Sequence, residues 1–385
     1  MNRTTLSLAV LAPLFATACI AGDDATAPVE PSPASTPVDV KPESAEAVWE
    51  DLGAARIADD PISNMLHFQT ADEPSFEQGA VESKTHVAMR VVDMHGKHAY
   101  RVTLDRAALG IISTAMHARG MENGMRPDAA AQPDEVISEG WSNGVDSRIR
   151  FNNTTTYPFS AIGTLYDGGG DCTGTRIGPR IVLTAAHCIY DRDTASFSTI
   201  NFKPGRNGSA SAPYGSSGPH WYWVPEGYID GAANLNGYDI AVIVLDTPVG
   251  NGYMGYGAWS GSTLESKDIF MRGYPRCNTE GAPAGCVSKT LWGDVNHCQL
   301  GSYFDTDSDG WNRQITTNCD GSAGQSGSSF YFYTSTGIAA TTGVFSQHYC
   351  LGVCADPQFA AFPNVITRIT PTYLDVINYF QAKYD

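Results

Sequence analysis

An all-β fold of the barrel or sandwich type is predicted for most of this chain, and three observations predict it. From about residue 142 onward, short β-rich runs recur between turn residues: Ile181-Val182-Leu183-Thr184, Ile240-Ala241-Val242-Ile243-Val244-Leu245, Gln314-Ile315-Thr316-Thr317 and Phe330-Tyr331-Phe332-Tyr333. Runs of this length, rich in β-branched and aromatic residues and punctuated by Gly, are strands. Eight of the nine cysteines, at 172, 188, 277, 286, 298, 319, 350 and 354, lie in this same part, as a disulfide framework of an oxidising compartment would place them. Helical spacing in this part is confined to Thr372–Lys383, where Leu374, Val376, Ile377 and Phe380 share a face, so one terminal helix is expected.

The chain before residue 142 reads differently. Met1–Cys19 has the form of an export signal: Arg3 supplies the positive charge, and Leu6–Phe15 is an apolar run too short to span a bilayer as a helix. Ala16-Thr17-Ala18-Cys19 is similar to a degenerate bacterial lipobox, which makes Cys19 a possible lipid anchor and envelope attachment the alternative to free secretion. Residues 20–48 are rich in Ala, Pro, Thr, Ser and acids and read as a solvated linker. Residues 49–141 read as partly folded, with strand-like runs at Val87–Val92 and Tyr100–Leu104 and a helix over Arg106–His117. This region holds five of the nine histidines; His95 and His98 have a spacing that metal sites use, but surface histidines are expected here.

Charge narrows the function. The 385 residues carry 24 Lys+Arg against 41 Asp+Glu, a formal net charge of −17, which argues against nucleic acid and anionic membrane as partners. Residues 1–141 hold 21 acids and 10 bases, net −11; residues 142–385 hold 20 and 14, net −6. The excess therefore sits on the part outside the β-rich region. Zinc is the competing use of the cysteines, but only Cys350 and Cys354 have close ligand spacing and no second pair matches it, so no metal or cofactor is expected.

Three segments carry chemistry: Leu183-Thr184-Ala185-Ala186-His187-Cys188, Tyr238-Asp239-Ile240-Ala241, and Cys319-Asp320-Gly321-Ser322-Ala323-Gly324-Gln325-Ser326-Gly327-Ser328. In the order His, Asp, Ser they supply a base, a carboxylate to orient it and a hydroxyl nucleophile. The hydroxyl needs an imidazole to take its proton. The imidazole needs a carboxylate to hold its tautomer. Small residues around Ser326 let backbone N–H groups turn toward a developing oxyanion.

These segments resemble those of trypsin/chymotrypsin-type serine endopeptidases, and within them the bacterial glutamyl endopeptidase branch. The resemblance covers roughly residues 142–385. It extends to Arg148-Ile149-Arg150-Phe151-Asn152-Asn153-Thr154-Thr155-Thr156-Tyr157-Pro158, Val224–Ile229, Gly273-Tyr274-Pro275, Leu291-Trp292-Gly293 and Pro363–Thr370. It implies two six-stranded antiparallel β-barrels with a C-terminal helix, preceded by a prosegment. It implies that His187 is the general base, that Asp239 orients it, that Ser326 is the nucleophile, and that Gly324 and Ser326 form the oxyanion hole. Ser346, in Gly343-Val344-Phe345-Ser346, falls on the strand that pairs with substrate. Cys172–Cys188 matches the family's bridge beside the histidine. Proximity alone suggests Cys277–Cys286, Cys298–Cys319 and Cys350–Cys354. The expected organisation is a signal over 1–19, a linker over 20–48, a propeptide over 49–141 and a protease domain over 142–385, acting as a monomer on protein or peptide substrates.

The chain departs from the pattern at two places. Position 325, where trypsin-like zymogens keep an Asp for a new N-terminal amine, is Gln, so that salt bridge is not available. In the specificity pocket, a Thr or Ser of the glutamyl branch is replaced by Gly321 and a His by Phe345, so glutamate preference is not supported. Asp320, six residues before Ser326, would favour Arg or Lys if it lined the pocket; an apolar pocket walled by Phe345 is the alternative. Asp305-Thr306-Asp307-Ser308-Asp309-Gly310 resembles the start of a calcium loop, but position twelve is Thr316, and a hairpin turn at Asp309-Gly310 is expected instead. A non-catalytic protease-like binding or adhesion protein is the competing function. A lipase or esterase would place Ser before Asp before His.

Overall fold

The computed structural model describes residues 47–58, 83–118, 124–126, 146–167, 171–230, 235–279, 281–307, 309–348 and 362–385. The expected signal, almost all of the linker, Cys19, Cys350 and Cys354 lie outside the described residues; Ala47 and Val48, at the linker's expected end, already open a strand.

The strands, in chain order, are β1 (Ala47–Ala54), β2 (His86–Asp93), β3 (His98–Asp105), then helix α1 (Arg106–Ala118), β4 (Arg148–Phe151), β5 (Ile162–Thr164), β6 (Thr173–Arg176), β7 (Ile181–Thr184), β8 (Lys203–Pro204), β9 (Pro219–Pro225) and β10 (Ala241–Leu245). There follow β11 (Phe270–Gly273), β12 (Leu291–Asp294), β13 (Leu300–Thr306), β14 (Asn312–Thr317), β15 (Ser329–Tyr333), β16 (Ala339–His348), β17 (Asn364–Arg368) and helix α2 (Pro371–Tyr384). Shorter pieces connect them.

The first sheet runs β1-β3-β2-β9-β10-β7-β6-β5-β8. Its last six members match in number the six-stranded barrel that the family resemblance implies. An antiparallel bridge between Phe202 and Ser217 joins the two ends of that six-strand set. The ladder is nevertheless not a closed barrel, because β2, β3 and β1 continue it beyond β9. The second sheet runs β13-β14-β17-β16-β15-β11-β12-β4, with Gly255–Tyr256 pairing on β16. The architecture is the chymotrypsin-like fold.

Local chemistry explains the elements. Ile181, Val182, Leu183 and Thr184 of β7 are all buried, and a strand covered on both faces reads as a continuous apolar run. In β2 the side chains alternate: Val87, Met89 and Val91 face the core, while His86, Ala88 and Arg90 are more open. Asp105 caps α1, its Oδ1 accepting from Ala108 N–H at 2.8 Å. Pro371 opens α2 behind the Thr370 cap, and Tyr373, Val376, Ile377 and Phe380 form its buried stripe. Gly310, at φ 80°, donates its N–H to Asp307 O, and the Asp307 Oδ1 accepts from Asp309 and Trp311 N–H. The acidic cluster is thus the expected β13–β14 hairpin turn. Disulfides Cys172–Cys188, Cys277–Cys286 and Cys298–Cys319 are formed.

One finding lies outside any sequence pattern. Val91, Val92, Val102, Leu104 and Leu109, from the expected propeptide, belong to the same buried cluster as Leu183, Tyr222, Trp223 and Val244.

Candidate active site

Strand register builds the first half of the site. β7 and β10 are antiparallel with Thr184 opposite Ala241, so the residues just beyond β7 face those just before β10. His187 sits in the turn Ala186–Cys188, and Asp239 lies between the turn Leu235–Tyr238 and β10. The Asp239 Oδ1 accepts the His187 backbone N–H at 2.9 Å, and its Oδ2 lies 2.7 Å from His187 Nδ1. Ser346 donates its hydroxyl to the same Oδ2 at 2.5 Å. Asp239 is 3% exposed, whereas the His187 side chain is 20% exposed. An ionised carboxylate only accepts, so Nδ1 carries the proton and Nε2 keeps its lone pair.

The second half is the turn holding Ser326. Thr173 N–H donates to Ser326 O at 2.8 Å, and Gly327 N–H donates to Phe345 O at 2.8 Å. Gly324 (φ +92°) and Gly327 (φ +80°) adopt backbone that L side chains resist. A Cβ on Gly327 would lie 2.1 Å from Thr184 Oγ1 and 3.0 Å from Ala185 N, which brings the residue after Ser326 against the segment leading to His187. A Cβ on Gly324 would meet Arg276 N at 2.5 Å. The N–H groups of Gln325, Gly327 and Ser328 donate to backbone oxygens; those of Gly324 and Ser326 have no acceptor among the described residues.

The residues considered for specificity are placed as follows. Asp320 Oδ2 accepts the Ser147 N–H at 2.7 Å, and its own N–H donates to Asp294 Oδ2 at 2.7 Å. Ser147 Oγ donates to Asp294 Oδ1 at 2.9 Å. Burial, and then the charge of Asp320, push the Asp294 carboxyl up to about 8. Gly321 leaves room for a ring: a Cβ there would stand 2.8 Å from Phe345 Cζ. Phe345 is 1% exposed and packs in the cluster of Met271, Ile315 and Phe330. It is a core side chain in this fold.

Three residues to which sequence pattern assigns no role stand out: Ser147, Arg148 and Asp294. Arg148 donates from one terminal nitrogen to Ser322 Oγ at 2.7 Å and Gln325 Oε1 at 2.5 Å, and from the other to Gly281 O and Asp146 Oδ2. Its side chain is 2% exposed. Gln325 therefore has a guanidinium for a partner, in the place where a trypsin-like zymogen would seat an amine on Asp. Arg148 and Asp294 lie in or beside the segments that carry the family resemblance, and the pairing Asp294↔Arg148 of β12 with β4 is what joins them.

Of the three metal-like groupings among the described residues, His95, His220 and Asp246 bring their ligand atoms within 4.8 Å of one another, and the other two resolve otherwise. In both Cys172–His187–Cys188 and Asp294–Cys298–Cys319 the two cysteines belong to disulfides. His95 and His98 face different carboxylates, Asp246 at 2.7 Å and Asp51 at 2.5 Å. A cavity of about 750 Å³ lies elsewhere, between α1 and the Gly255–Trp259 segment.

Two β-sheets, tied together where Ser346 of β16 donates to the buried Asp239 just before β10, make up a chymotrypsin-like fold. The Trypsin family model matches residues 149–377. The chain is 44% identical to glutamyl endopeptidase of Bacillus licheniformis over 141 residues, 36% of this chain and 43% of that one. It is 30% identical to extracellular metalloprotease of Bacillus subtilis over 218 residues, 54% of this chain and 61% of that one. It thus spans about two fifths to three fifths of the length of these curated relatives. A solved structure of Glu endopeptidase in complex with MPD superposes with a TM-score of 0.47 at 26% identity, covering 62% of this chain and 98% of that one. The chain belongs to the trypsin family.

Proposed function

We propose that this chain is an exported serine endopeptidase, made as a proenzyme, that cleaves protein or peptide substrates through an acyl-enzyme. The observation that carries this reading is the 2.7 Å contact of His187 Nδ1 with Asp239 Oδ2, anchored by Ser346 beside the Ser326 turn. Asp239 holds the imidazole with its proton on Nδ1, so Nε2 takes the Ser326 hydroxyl proton as Oγ attacks the peptide carbonyl carbon. The carbonyl oxygen becomes an oxyanion and is received by the N–H groups of Gly324 and Ser326. His187 then gives the proton to the leaving amine, the C–N bond breaks, and the acyl group stays on Ser326. Water attacks that acyl carbon, its proton passing to His187, and the acid product leaves as Ser326 regains its proton.

Export rests on the 1–19 signal and the disulfides, which suit an oxidising compartment. Among the described residues no helix is long and apolar enough to cross a membrane. The proenzyme reading takes residues 49–141 as the prosegment, cut from the protease near Glu139–Arg148, with Cys19 as a candidate lipid attachment.

Fluorophosphonate labelling tests the proposal without knowledge of the substrate. Ser326 is expected to be labelled in the processed protein, and Ser326→Ala is expected to lose labelling and peptide cleavage while remaining folded. A folded, processed protein that takes no label would leave the binding or adhesion reading in its place. A peptide library on the labelled enzyme reads out the residue preferred at the cut.

A further inference from the structure

We infer that residues 47–118 stay with the enzyme after the prosegment is cut, as a non-covalently bound second chain of the mature protease. This rests on the proenzyme reading above and changes its outcome: the segment is severed but not discarded.

Its position in the sheet is the first ground. β2 is not an outer strand laid against the protease; it lies between β3 and β9, and its register with β9 runs from Asp93↔Trp221 to Met89↔Pro225. Removing it would strip the hydrogen-bonding edge from a strand whose Tyr222, Trp223 and Val224 are fully buried. An exposed, flat, apolar edge is what folded proteins avoid.

The core is the second ground. Val91, Val92, Val102 and Leu104 are 0% exposed and share one cluster with the β7, β9 and β10 side chains. Such a contact is a core divided by a chain break, the kind of surface that obligate partners bury. On the other side, Leu109, Ile112 and Met116 of α1 recur at helical spacing and are buried, and Ser113 Oγ accepts from Asn378 of α2 at 2.7 Å.

Charge pairing is the third. Glu226 is 6% exposed, and its Oε1 accepts from Arg90 at 2.5 Å and from Arg101 at 2.8 Å. Departure of the segment would leave a carboxylate, built to be buried, without either guanidinium. Arg106 reaches Asp309 at 2.5 Å, on the oxygen that Thr372 also contacts.

The contacts also leave the chemistry clear. Among the described residues they fall on the Thr194–Ser198 segment, β9, Glu226, Asp246, α2 and the Asp309 turn, and none is a hydrogen bond or ion pair to His187, Asp239 or Ser326. Residues 47–118 contain no cysteine and the described disulfides all join cysteines within 172–319, so what retains the segment is non-covalent: strand pairing, the shared core and the charge pairs.

The test places a recognition sequence for an orthogonal site-specific protease between residues 134 and 139 of the full chain carrying Ser326→Ala, so that no self-cleavage intervenes. After complete cutting, the protein is run by gel filtration in native buffer and its peak by denaturing electrophoresis. The expected result is one native peak containing both pieces in equal amounts, parted only by denaturant. An amino-terminal piece that elutes apart from the protease overturns the inference. Glu226→Ala, which leaves every strand pair in place, is expected to raise the free fraction of that piece about tenfold or more on dilution, and an unchanged fraction counts against the role given to the charge pairs. Sequencing of the naturally exported protein is read separately. Finding no internal amino terminus there refutes the proenzyme reading, while the engineered cut still decides retention.

Discussion

Arg148→Ala isolates what holds the Ser326 turn in shape. The guanidinium reaches that turn twice, at Ser322 Oγ (2.7 Å) and Gln325 Oε1 (2.5 Å), from a side chain 2% exposed. Buried hydrogen bonds to a charged donor contribute about 1.5–3 kcal/mol each. Gln325 Oε1 keeps a second donor, the Ser322 N–H at 3.1 Å, so the loss belongs at the low end, about 3 kcal/mol for the pair of bonds. Burial would raise the Asp146 carboxyl, but Arg148 outweighs it and holds that carboxyl below its usual range. The Asp146 side chain is 38% exposed and regains water once Arg148 is gone, so this ion pair adds little. The functional effect follows from geometry: Ser322 and Gln325 flank Gly324, and displacing the oxyanion donor proposed there costs about 10²–10³ in rate. The assay is the second-order rate of fluorophosphonate labelling at Ser326, measured beside the thermal transition. We expect labelling to fall about 100-fold. Arg148→Lys should recover only part of it, since an ammonium cannot span the same acceptors as a planar fork. A folded Arg148→Ala protein that labels at the wild-type rate would refute the idea that this residue sets the turn.

Two further outcomes are expected. Because burial, and then the charge of Asp320, push the Asp294 carboxyl up to about 8 from the usual 3.8, the native state holds its proton more tightly. Its stabilising contribution is therefore complete below about pH 4 and is lost as pH rises through about 8. Asp294→Asn should flatten the fall of Tm between those limits, and a profile parallel to wild type would remove the assignment. Gly327→Ala puts a Cβ 2.1 Å from Thr184 Oγ1 and 2.3 Å from Thr173 O, so it should abolish labelling and cost at least about 3 kcal/mol in urea unfolding. Gly208→Ala, at φ +98° with nothing within 4 Å, should cost only about 1 kcal/mol, and equal losses at the two glycines would argue against a steric cause.

Local pattern carried a long way in this chain. The β-branched runs at 181–184 and 241–245 are strands, α1 and α2 begin and end within a residue or two of their expected limits, and the Asp-rich 305–310 segment is a hairpin turn. These follow from the side-chain period and from turn chemistry, which act over a few residues. The sulfur pairs Cys277–Cys286 and Cys298–Cys319 follow from closeness along the chain.

What local pattern does not contain is the identity of the partner across a buried face. The alternation in β2 announces an inward side at Val87, Met89 and Val91, but nothing in it says that β9 is the neighbour. The change of texture near residue 142 suggests a division that the shared core crosses, and the acidic excess of the first part sits partly on strands built into the first sheet. The same limit hides the work of Arg148 and Asp294, which depends on one antiparallel pairing of β4 with β12. It also leaves the surroundings of Phe345 open, since only the packing of Gly321, Met271 and Ile315 around its ring makes it a core residue. Periodicity records that a side chain leaves water. Which atoms replace the water is settled by contacts between residues far apart in the chain, and those form only when the sheets assemble.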